Sequence, residues 1–175
     1  MDFRPLKEAD LPLLQAWVAR PHIAEWWEGA IQFEEGLAQY LAILNGEPIG
    51  YVQCYQAAAC HADGWWLEVS DGGVFGIDQF LADGARLGQG LGTRMIRAFV
   101  ERLVADPRVT RVQVDPSPAN ARAIRCYEKA GFHRVGEIIT PDGPALLMHL
   151  DLLAGSRAHD DAMLHRRRGR PPSAR

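Results

Sequence analysis

The sequence predicts an α+β domain in which one β-α-β unit joins a set of antiparallel strands. The first observation is the segment 86–106, where a glycine-rich turn opens directly onto an amphipathic helix. The second is a pair of apolar runs, Val74–Leu81 and 109–114, that flank this segment and are typical of strands. The third is a hairpin pattern near each end of the domain, at 40–55 and 132–152. Together these patterns favour a mixed, largely antiparallel central sheet flanked by helices.

Length and composition fit one ordinary globular domain. The chain has 175 residues, of which 47% are hydrophobic and 23% are charged. It contains no apolar run long enough to cross a membrane, and its first residues, MDFRPLKEADL, lack a signal-peptide pattern. We therefore expect a cytoplasmic protein. The three cysteines show no metal-ligand spacing, and we expect no metal site.

Charge is distributed unevenly along the chain. Residues 1–85 contain three Lys and Arg against thirteen Asp and Glu, whereas residues 86–154 contain ten against seven. The sign therefore changes at the glycine turn, which suggests two ligands of opposite charge. The alternative is that most of these charges lie on solvated helix faces.

The first half predicts helices followed by a hairpin. Leu11, Leu14 and Trp17 recur at helical spacing, and Asn45 and Gly46 form a two-residue hairpin turn. The predicted elements are a strand over 3–5, a helix over 7–20 ended by Pro21, a short helix over 33–41, strands over 40–44 and 49–55, a loop over 56–64, and a strand or long loop over 65–69.

The second half alternates strands and helices. Leu91, Met95, Phe99 and Leu103 recur every four residues and form the apolar stripe of the helix after the glycine turn. The predicted elements are strands over Val74–Leu81 and 109–114, a proline-marked turn over 115–118, a helix over 119–130 ended by Gly131, and closing strands over 132–139 and 144–152. We expect a folded domain over 1–154 and a basic, disordered tail over 155–175.

The glycine turn has the properties of a phosphate site. Gly88, Gly90 and Gly92 allow backbone amides to approach a ligand closely, and the positive end of a helix dipole follows them. We predict that Gly88–Thr93 holds a pyrophosphate. The alternative is a tight strand-to-helix turn with nothing bound.

The helix pattern that follows resembles a known superfamily. The segment NARAIRCYEKAGF, with Asn120, Tyr127, Gly131 and Phe132, is similar to the GCN5-related N-acetyltransferases, abbreviated GNAT. The resemblance implies the GNAT fold, a β-α-β core that binds acetyl-CoA, and Tyr127 as the acid that protonates the leaving thiolate. It implies contacts of the coenzyme with Gln79, Phe80, Leu81, Arg86, Leu87, Gly88, Gln89, Gly90, Leu91, Gly92, Thr93, Asn120, Ala123, Tyr127 and Lys129. The turn departs from the family pattern, because Leu87 stands where Gln or Arg is usual. A core tyrosine with a satisfied hydroxyl is the alternative for Tyr127.

A narrower resemblance covers most of the chain. The segments HIAEWW, LNGEPIGY, DGWW, GIDQFL, LGQGLGT, DPSPANARAIRCYEKAGF and TPDGP look like those of the aminoglycoside 6′-N-acetyltransferases. This implies transfer of an acetyl group to an amine of a polycationic aminosugar antibiotic. The implied acceptor site consists of carboxylates and flat apolar walls: Trp27, Asp63, Trp65, Trp66, Asp78, Asp115 and Asp142.

Asp78 is the candidate general base, because a carboxylate within an otherwise apolar strand is costly unless it has a task or a partner. Asp142 and Asp115 have structural alternatives, as a turn residue and a helix-entry residue. We expect Trp26 to pack in the core. Cys126 has no histidine partner in the pattern, so we expect direct attack of the amine without an acyl-enzyme.

Other functions stay open at this stage. The segment between Trp27 and Asn45 is shorter than in the aminoglycoside enzymes, which leaves room for another acceptor such as a polyamine, a peptide N-terminus or a hydroxylamine-type metabolite. The tail sequence RGRP at Arg168–Pro171 resembles an AT-hook, a weak sign of DNA binding or of a non-catalytic regulator that binds coenzyme A. We expect no membrane partner, and a monomer or a homodimer.

Overall fold

A seven-stranded sheet forms the centre of the molecule, in a computed structural model that describes residues 1–34 and 37–152. The strand order is β1-β2-β3-β4-β5-β7-β6, and β4 with β5 is the one parallel pair in the described part of the chain. The strands are β1 (Asp2–Pro5), β2 (Ala38–Leu44), β3 (Glu47–Gln56), β4 (Val74–Leu81), β5 (Arg111–Val114), β6 (His133–Thr140) and β7 (Gly143–Asp151). The helices are α1 (Leu11–Val18), α2 (Pro21–Ala24), α3 (Leu91–Val104) and α4 (Ala121–Ala130), with short 3-10 helices at Glu8–Asp10, Ala57–Asp63 and Gly84–Arg86. The predicted tail, 155–175, lies outside the described residues.

Two of the hydrophobic clusters in the described residues lie on opposite faces of the sheet. On one face the apolar stripe of α3, with Met95 and Phe99, packs against Val52, Ile77 and Val112 of the strands. The other face carries a smaller core, which consists of residues from α1, α2, β2, β3 and β4: Leu14, Trp17, Ile23, Leu41, Tyr51 and Phe80. In the described residues no helix is long and apolar enough to cross a membrane.

The parallel pair β4 and β5 separates soon after it begins. Its ladder has three residue pairs, from Val74 with Arg111 to Gly76 with Gln113. From Ile77 onward β4 pairs only with β3 among the described strands, while β5 continues beside β7. The separation opens a gap in the sheet at the carboxyl ends of both strands, the usual position of a ligand site next to parallel strands.

Most predicted elements are present. The strand Val74–Leu81, the helix after the glycine turn, the helix ended by Gly131 and both hairpins are confirmed. The helix predicted over 33–41 is wrong, because β2 begins at Ala38 and pairs with both β1 and β3. Pairing on both sides overrides the weak local preference of a short apolar segment.

Smaller corrections concern the segment around α1 and α2. The helix predicted over 7–20 is divided into a 3-10 turn and α1. Pro21 begins α2 rather than only ending the preceding helix, which suits proline at a first helical position. Trp26, expected in the core, is 36% exposed. Residues 65–69, predicted as a strand or a long loop, form a loop with a turn at 67–68.

Close packing of β3 on β4 yields a stability prediction. A Cβ added to buried Gly50 would lie 2.5 Å from the Phe80 carbonyl oxygen, which is backbone and cannot rotate away. We expect Gly50→Ala to lower the free energy of unfolding by about 2–3 kcal/mol in a denaturant titration. Gly136→Ala is the matched control, since that position in β6 is open, and we expect a change within about 0.5 kcal/mol. Equal effects of the two substitutions would contradict the packing described.

Candidate active site

A cavity of about 920 Å³ occupies the gap between the diverging strands. One end is lined by the glycine turn and α4, and the other end by carboxylates and aromatic side chains from β4 and the surrounding loops. Acidic residues from the first half of the sequence and basic residues from the second half therefore line the same cavity. The cavity has the size expected for small-molecule sites.

The turn before α3 is built around left-handed glycines. Gly88 and Gly90 have φ of 75° and 81°, conformations that glycine adopts without strain. The first-turn amides of α3, which follow Gly90 directly, have no intrahelical acceptor. Gly92 allows α3 to approach α4, since a Cβ there would lie 3.2 Å from the Cys126 sulfur. The turn thus presents free backbone donors at a helix N-terminus.

The structure separates the predicted coenzyme residues into two groups. Those that line the cavity are Gln79, Phe80, Leu81, Leu87, Gly88, Gly90, Gly92, Thr93, Asn120, Ala123, Tyr127 and Lys129. Arg86, Gln89 and Leu91 are not among the described lining residues. The side-chain amide of Gln89 instead donates to the Ala85 backbone carbonyl at 2.8 Å, and Leu91 packs against the core formed by α3 and the sheet.

Helix α4 contributes its N-cap and one buried phenol. The Asn120 side-chain oxygen accepts a hydrogen bond from the Ala123 amide at 3.0 Å, which caps the helix. Tyr127 is 6% exposed and its ring packs edge-on against Phe132 at 5.4 Å. Burial, followed by the charge of Asp78, raises the pKa of Tyr127 well above its usual value, so the hydroxyl is a proton donor over the physiological range.

Carboxylates line the other end of the cavity: Asp78, Asp115 and Asp142, together with Asp63, Glu28 and Glu34. Burial raises the pKa of Asp78 to about 6, and the charge of Asp142 adds to this, against a hydrogen bond from Gln53 that lowers it. Burial likewise raises the pKa of Asp115 to about 7, with further contributions from Asp78 and Asp142. Mutual repulsion among these groups is relieved when a cationic ligand enters.

The predicted aromatic walls are only partly where the sequence suggested. Trp27 and Trp65 line the cavity, as does Asp63. Trp27 also contacts the rings of Tyr51 and Phe80 edge-on, at 5.6 and 5.1 Å. Trp66 was expected in the wall, but it is buried in a separate cluster with Ala57 and Val74. The positive φ of Trp66 turns the chain there, so adjacent tryptophans serve different roles.

Sequence reasoning missed several lining residues. Gln53 and Tyr55 lie on the same face of the sheet as Asp78, and the two-residue period of IGYVQCY is the signal that could have found them. On α4, Arg122 and Arg125, which were not predicted, line the cavity together with the predicted Lys129. Their spacing of three and four residues places them on one helix face, but exposed basic residues on a helix are usually read as solvated.

Metal coordination finds no support in this region. Within residues 1–34 and 37–152, no group of three or more His, Cys, Asp or Glu side chains is arranged to hold a metal ion.

Comparison with known proteins agrees with this geometry. A family model described as an acetyltransferase (GNAT) domain matches residues 7–140. An aminoglycoside N(6′)-acetyltransferase type 1 from Klebsiella pneumoniae is 51% identical over 161 residues, which cover 83% of this chain and 80% of the relative.

Solved structures show the same architecture. AAC(6′)-Ib in complex with parmomycin and acetyl-CoA superposes with a TM-score of 0.83 at 50% identity, covering 91% of this chain and 97% of the other. AAC(6′)-Ib in complex with coenzyme A and kanamycin superposes with a TM-score of 0.82 at 49% identity, covering 90% and 98%. The mixed sheet with its flanking helices is therefore the GNAT fold.

The glycine turn can be tested against a matched glycine elsewhere. Gly90 and Gly46 share a left-handed φ, 81° and 84°, and both have open space at the Cβ position, but Gly46 lies in the β2–β3 hairpin turn. We expect Gly90→Ala and Gly46→Ala to destabilise the fold similarly, by about 1–2 kcal/mol. Only Gly90→Ala should weaken coenzyme A binding, by about tenfold in calorimetry, because strain there reorients the amides of the turn. Equal coenzyme affinities in the two variants would exclude the turn as the phosphate site.

Proposed function

The chain belongs to the GNAT acetyltransferase family, and we propose that it moves an acetyl group from acetyl-CoA to the 6′-amino group of aminoglycoside antibiotics, thereby conferring resistance. The observation that carries this proposal is the two-ended cavity. Backbone amides and basic side chains at one end suit a pyrophosphate, and the group of carboxylates at the other end suits a polycation. The curated and solved relatives supply the class of acceptor.

Acetyl-CoA is a substrate of this reaction, and the residues present fit it. Apart from the adjacent residues of the chain, no described heavy atom lies within 4 Å of a Cβ built on Gly88 or Gly90, which leaves the turn open to phosphate oxygens. Beyond Gly76 the backbone of β4 has no described strand partner on its β5 side, so an extended amide-bearing chain can lie along it. The bound thioester supplies the carbonyl carbon that accepts the amine.

Asp78 is the proposed base and positioning group for the amine. An aminoglycoside amine enters as an ammonium ion and must lose a proton before it can attack. With a pKa of about 6, Asp78 is ionised near neutral pH and can attract the ammonium ion and accept its proton. Its place on β4, directly before the gap, lets it face the amine while the coenzyme lies along the same strand.

Tyr127 is the proposed acid. As the carbon–nitrogen bond forms and the carbon–sulfur bond breaks, the departing sulfur takes the phenolic proton. The phenolate regains a proton from the attacking nitrogen, which must lose its second proton to become an amide nitrogen. Cys126, next to Tyr127, does not suit a nucleophile, because burial raises the pKa of its thiol and its sulfur contacts the Thr93 hydroxyl at 3.4 Å. This supports direct attack of the amine, with no acyl-enzyme.

The remaining acidic and aromatic residues are proposed to hold the aminosugar rings. Asp115 and Asp142 bind further amines, and Asp63 extends the negative surface towards the outer rings. Trp27 and Trp65 offer apolar and cation–π contacts to the same rings. Trp66 is left out of the proposed site because of its buried position.

The domain assignment and the compartment are part of the same proposal. We assign the acetyltransferase activity to residues 1–154 and no catalytic role to 155–175. The three cysteines are free, which fits a reducing compartment, and we place the enzyme in the cytoplasm.

Substitution of Asp78 tests the proposed base. We expect kcat/KM for kanamycin to rise with pH through about 6 to 7, because Asp78 must be ionised to accept the proton and Asp115 must be ionised to hold a further amine. Asp78→Asn should lower kcat/KM at pH 7.5 by at least about 100-fold and remove the part of this rise near pH 6. Asp2→Asn, at an exposed position of β1, removes the same charge outside the cavity. It should leave both kcat/KM and its dependence on pH unchanged. Wild-type pH dependence in Asp78→Asn would eliminate Asp78 as the base.

An acceptor screen tests the proposed substrate class. The release of coenzyme A is followed with kanamycin, with polyamines, and with peptides that have free N-termini. We expect turnover with the aminoglycoside at least about 100-fold above the other amines, since only the polycationic rings match the spaced carboxylates. A chain that ends at residue 154 should give the same ranking. Turnover confined to peptides or small amines would reject the aminoglycoside proposal and retain a GNAT enzyme for another amine.

A further inference from the structure

A chain of hydrogen bonds runs through the sheet and ends at Asp78. The Gln39 amide nitrogen donates to the Gln32 backbone carbonyl at 2.7 Å and to the Tyr51 hydroxyl at 2.8 Å. The Tyr51 hydroxyl donates to the Gln53 side-chain oxygen at 2.9 Å, and the Gln53 amide nitrogen donates to Asp78 Oδ2 at 2.9 Å. Gln39 and Tyr51 are buried, at 7% and 0% exposed, so solvent does not compete for these bonds.

The Gln32 carbonyl at the outer end of this chain determines which group donates and which accepts in every hydrogen bond. A backbone carbonyl only accepts, so the Gln39 side chain must turn its NH₂ group towards Gln32 and Tyr51. The Tyr51 hydroxyl has a single proton, and because it accepts from Gln39 it must give that proton to Gln53. The Gln53 side chain is then held with its oxygen towards Tyr51 and its NH₂ group towards Asp78.

This orientation matters because Asp78 has few groups that favour its charge. The titratable groups around the cavity come from several elements. Tyr51 and Tyr55 lie on β3, Tyr127 on α4, Asp115 after β5 and Asp142 in the β6–β7 turn. The others are Glu28 and Glu34 before β2, Cys60 and Asp63 in the Ala57–Asp63 helix, and His22 on α2, whose ring contacts the Leu81 carbonyl. Burial and Asp142 raise the pKa of Asp78, and the hydrogen bond from the Gln53 amide is the one described interaction that lowers it.

We propose that Tyr51 is a positioning residue for acetyl transfer, because its hydroxyl fixes the Gln53 amide in the orientation that donates to Asp78. The hydrogen bond occupies Oδ2 and leaves Oδ1 of Asp78 available to the acceptor amine. Without the Tyr51 hydroxyl, the Gln53 side chain is free to rotate and Asp78 loses its donor. This inference rests on the proposed role of Asp78 as the base.

Tyr51→Phe tests the proposal with little change in packing, since the ring stacked on Phe80 is retained. We expect the acid limb of the kcat/KM profile to move up by about 0.5–1 pH unit, the size typical of losing one hydrogen bond to a carboxylate. At pH 6 this lowers kcat/KM about two- to fivefold, whereas at pH 8 it should remain within about twofold of wild type. The KM for acetyl-CoA should not change.

Tyr40→Phe is the matched control, because Tyr40 lies on the neighbouring strand and packs against Phe99 on the opposite face of the sheet. It should leave the acid limb in place. A uniform loss of activity at every pH in Tyr51→Phe, with the limb unmoved, would mean a purely structural role and overturn the proposal.

A second measurement separates this proposal from the assignment of Asp78 as the base. The Asp78 carboxyl is titrated by ¹³C NMR in ligand-free protein and identified by its absence in Asp78→Asn. An upward shift of its midpoint in Tyr51→Phe supports the positioning role even if Asp78→Asn keeps activity, whereas an unchanged midpoint overturns it. If Tyr51→Phe does not fold, Gln53→Met, which removes the donor itself, should shift the midpoint in the same direction, and no shift there overturns the proposal.

Discussion

The early separation of β4 from β5 is the constraint on which the site depends. Three residue pairs hold the parallel strands together, and the gap beyond Gly76 forms the cavity. Because β4 carries Asp78 within this gap and leads by a short turn into α3, one strand connects the acidic end with the glycine turn. A continuous ladder between β4 and β5 would close the space in which both substrates must meet.

Electrostatics gives the two ends of the gap opposite properties. Fixed backbone dipoles and the basic face of α4 favour phosphate, and neither changes its charge near neutral pH. The carboxylates do titrate near neutral pH, because burial and mutual repulsion raise the pKa of Asp78 and Asp115 to about 6 and 7. A polycationic acceptor lowers this repulsion, so binding of the acceptor and ionisation of Asp78, the proposed base, reinforce each other.

Sequence patterns predicted the parts of the fold that local chemistry determines. The stripe of α3, the glycine end of α4 and the hairpin turns follow from periodicity and turn residues. The segment over 33–41 was mistaken for a helix because pairing of β2 with two strands is a long-range interaction. Trp66 was misplaced for a similar reason, since only the backbone conformation at that residue decides which of two adjacent rings faces the cavity. The hydrogen-bond chain from Gln39 to Asp78 is invisible in the sequence, because it crosses three strands, β2, β3 and β4, that meet only through sheet register.

The most direct measurement of the central claim is a crystal structure of the ternary complex with coenzyme A and kanamycin. The account predicts the pyrophosphate on the amides of Gly88–Thr93 and the 6′-amino nitrogen within about 3 Å of an Asp78 carboxylate oxygen. A 6′-amino nitrogen more than about 6 Å from Asp78, with no water bridging the two, would contradict it.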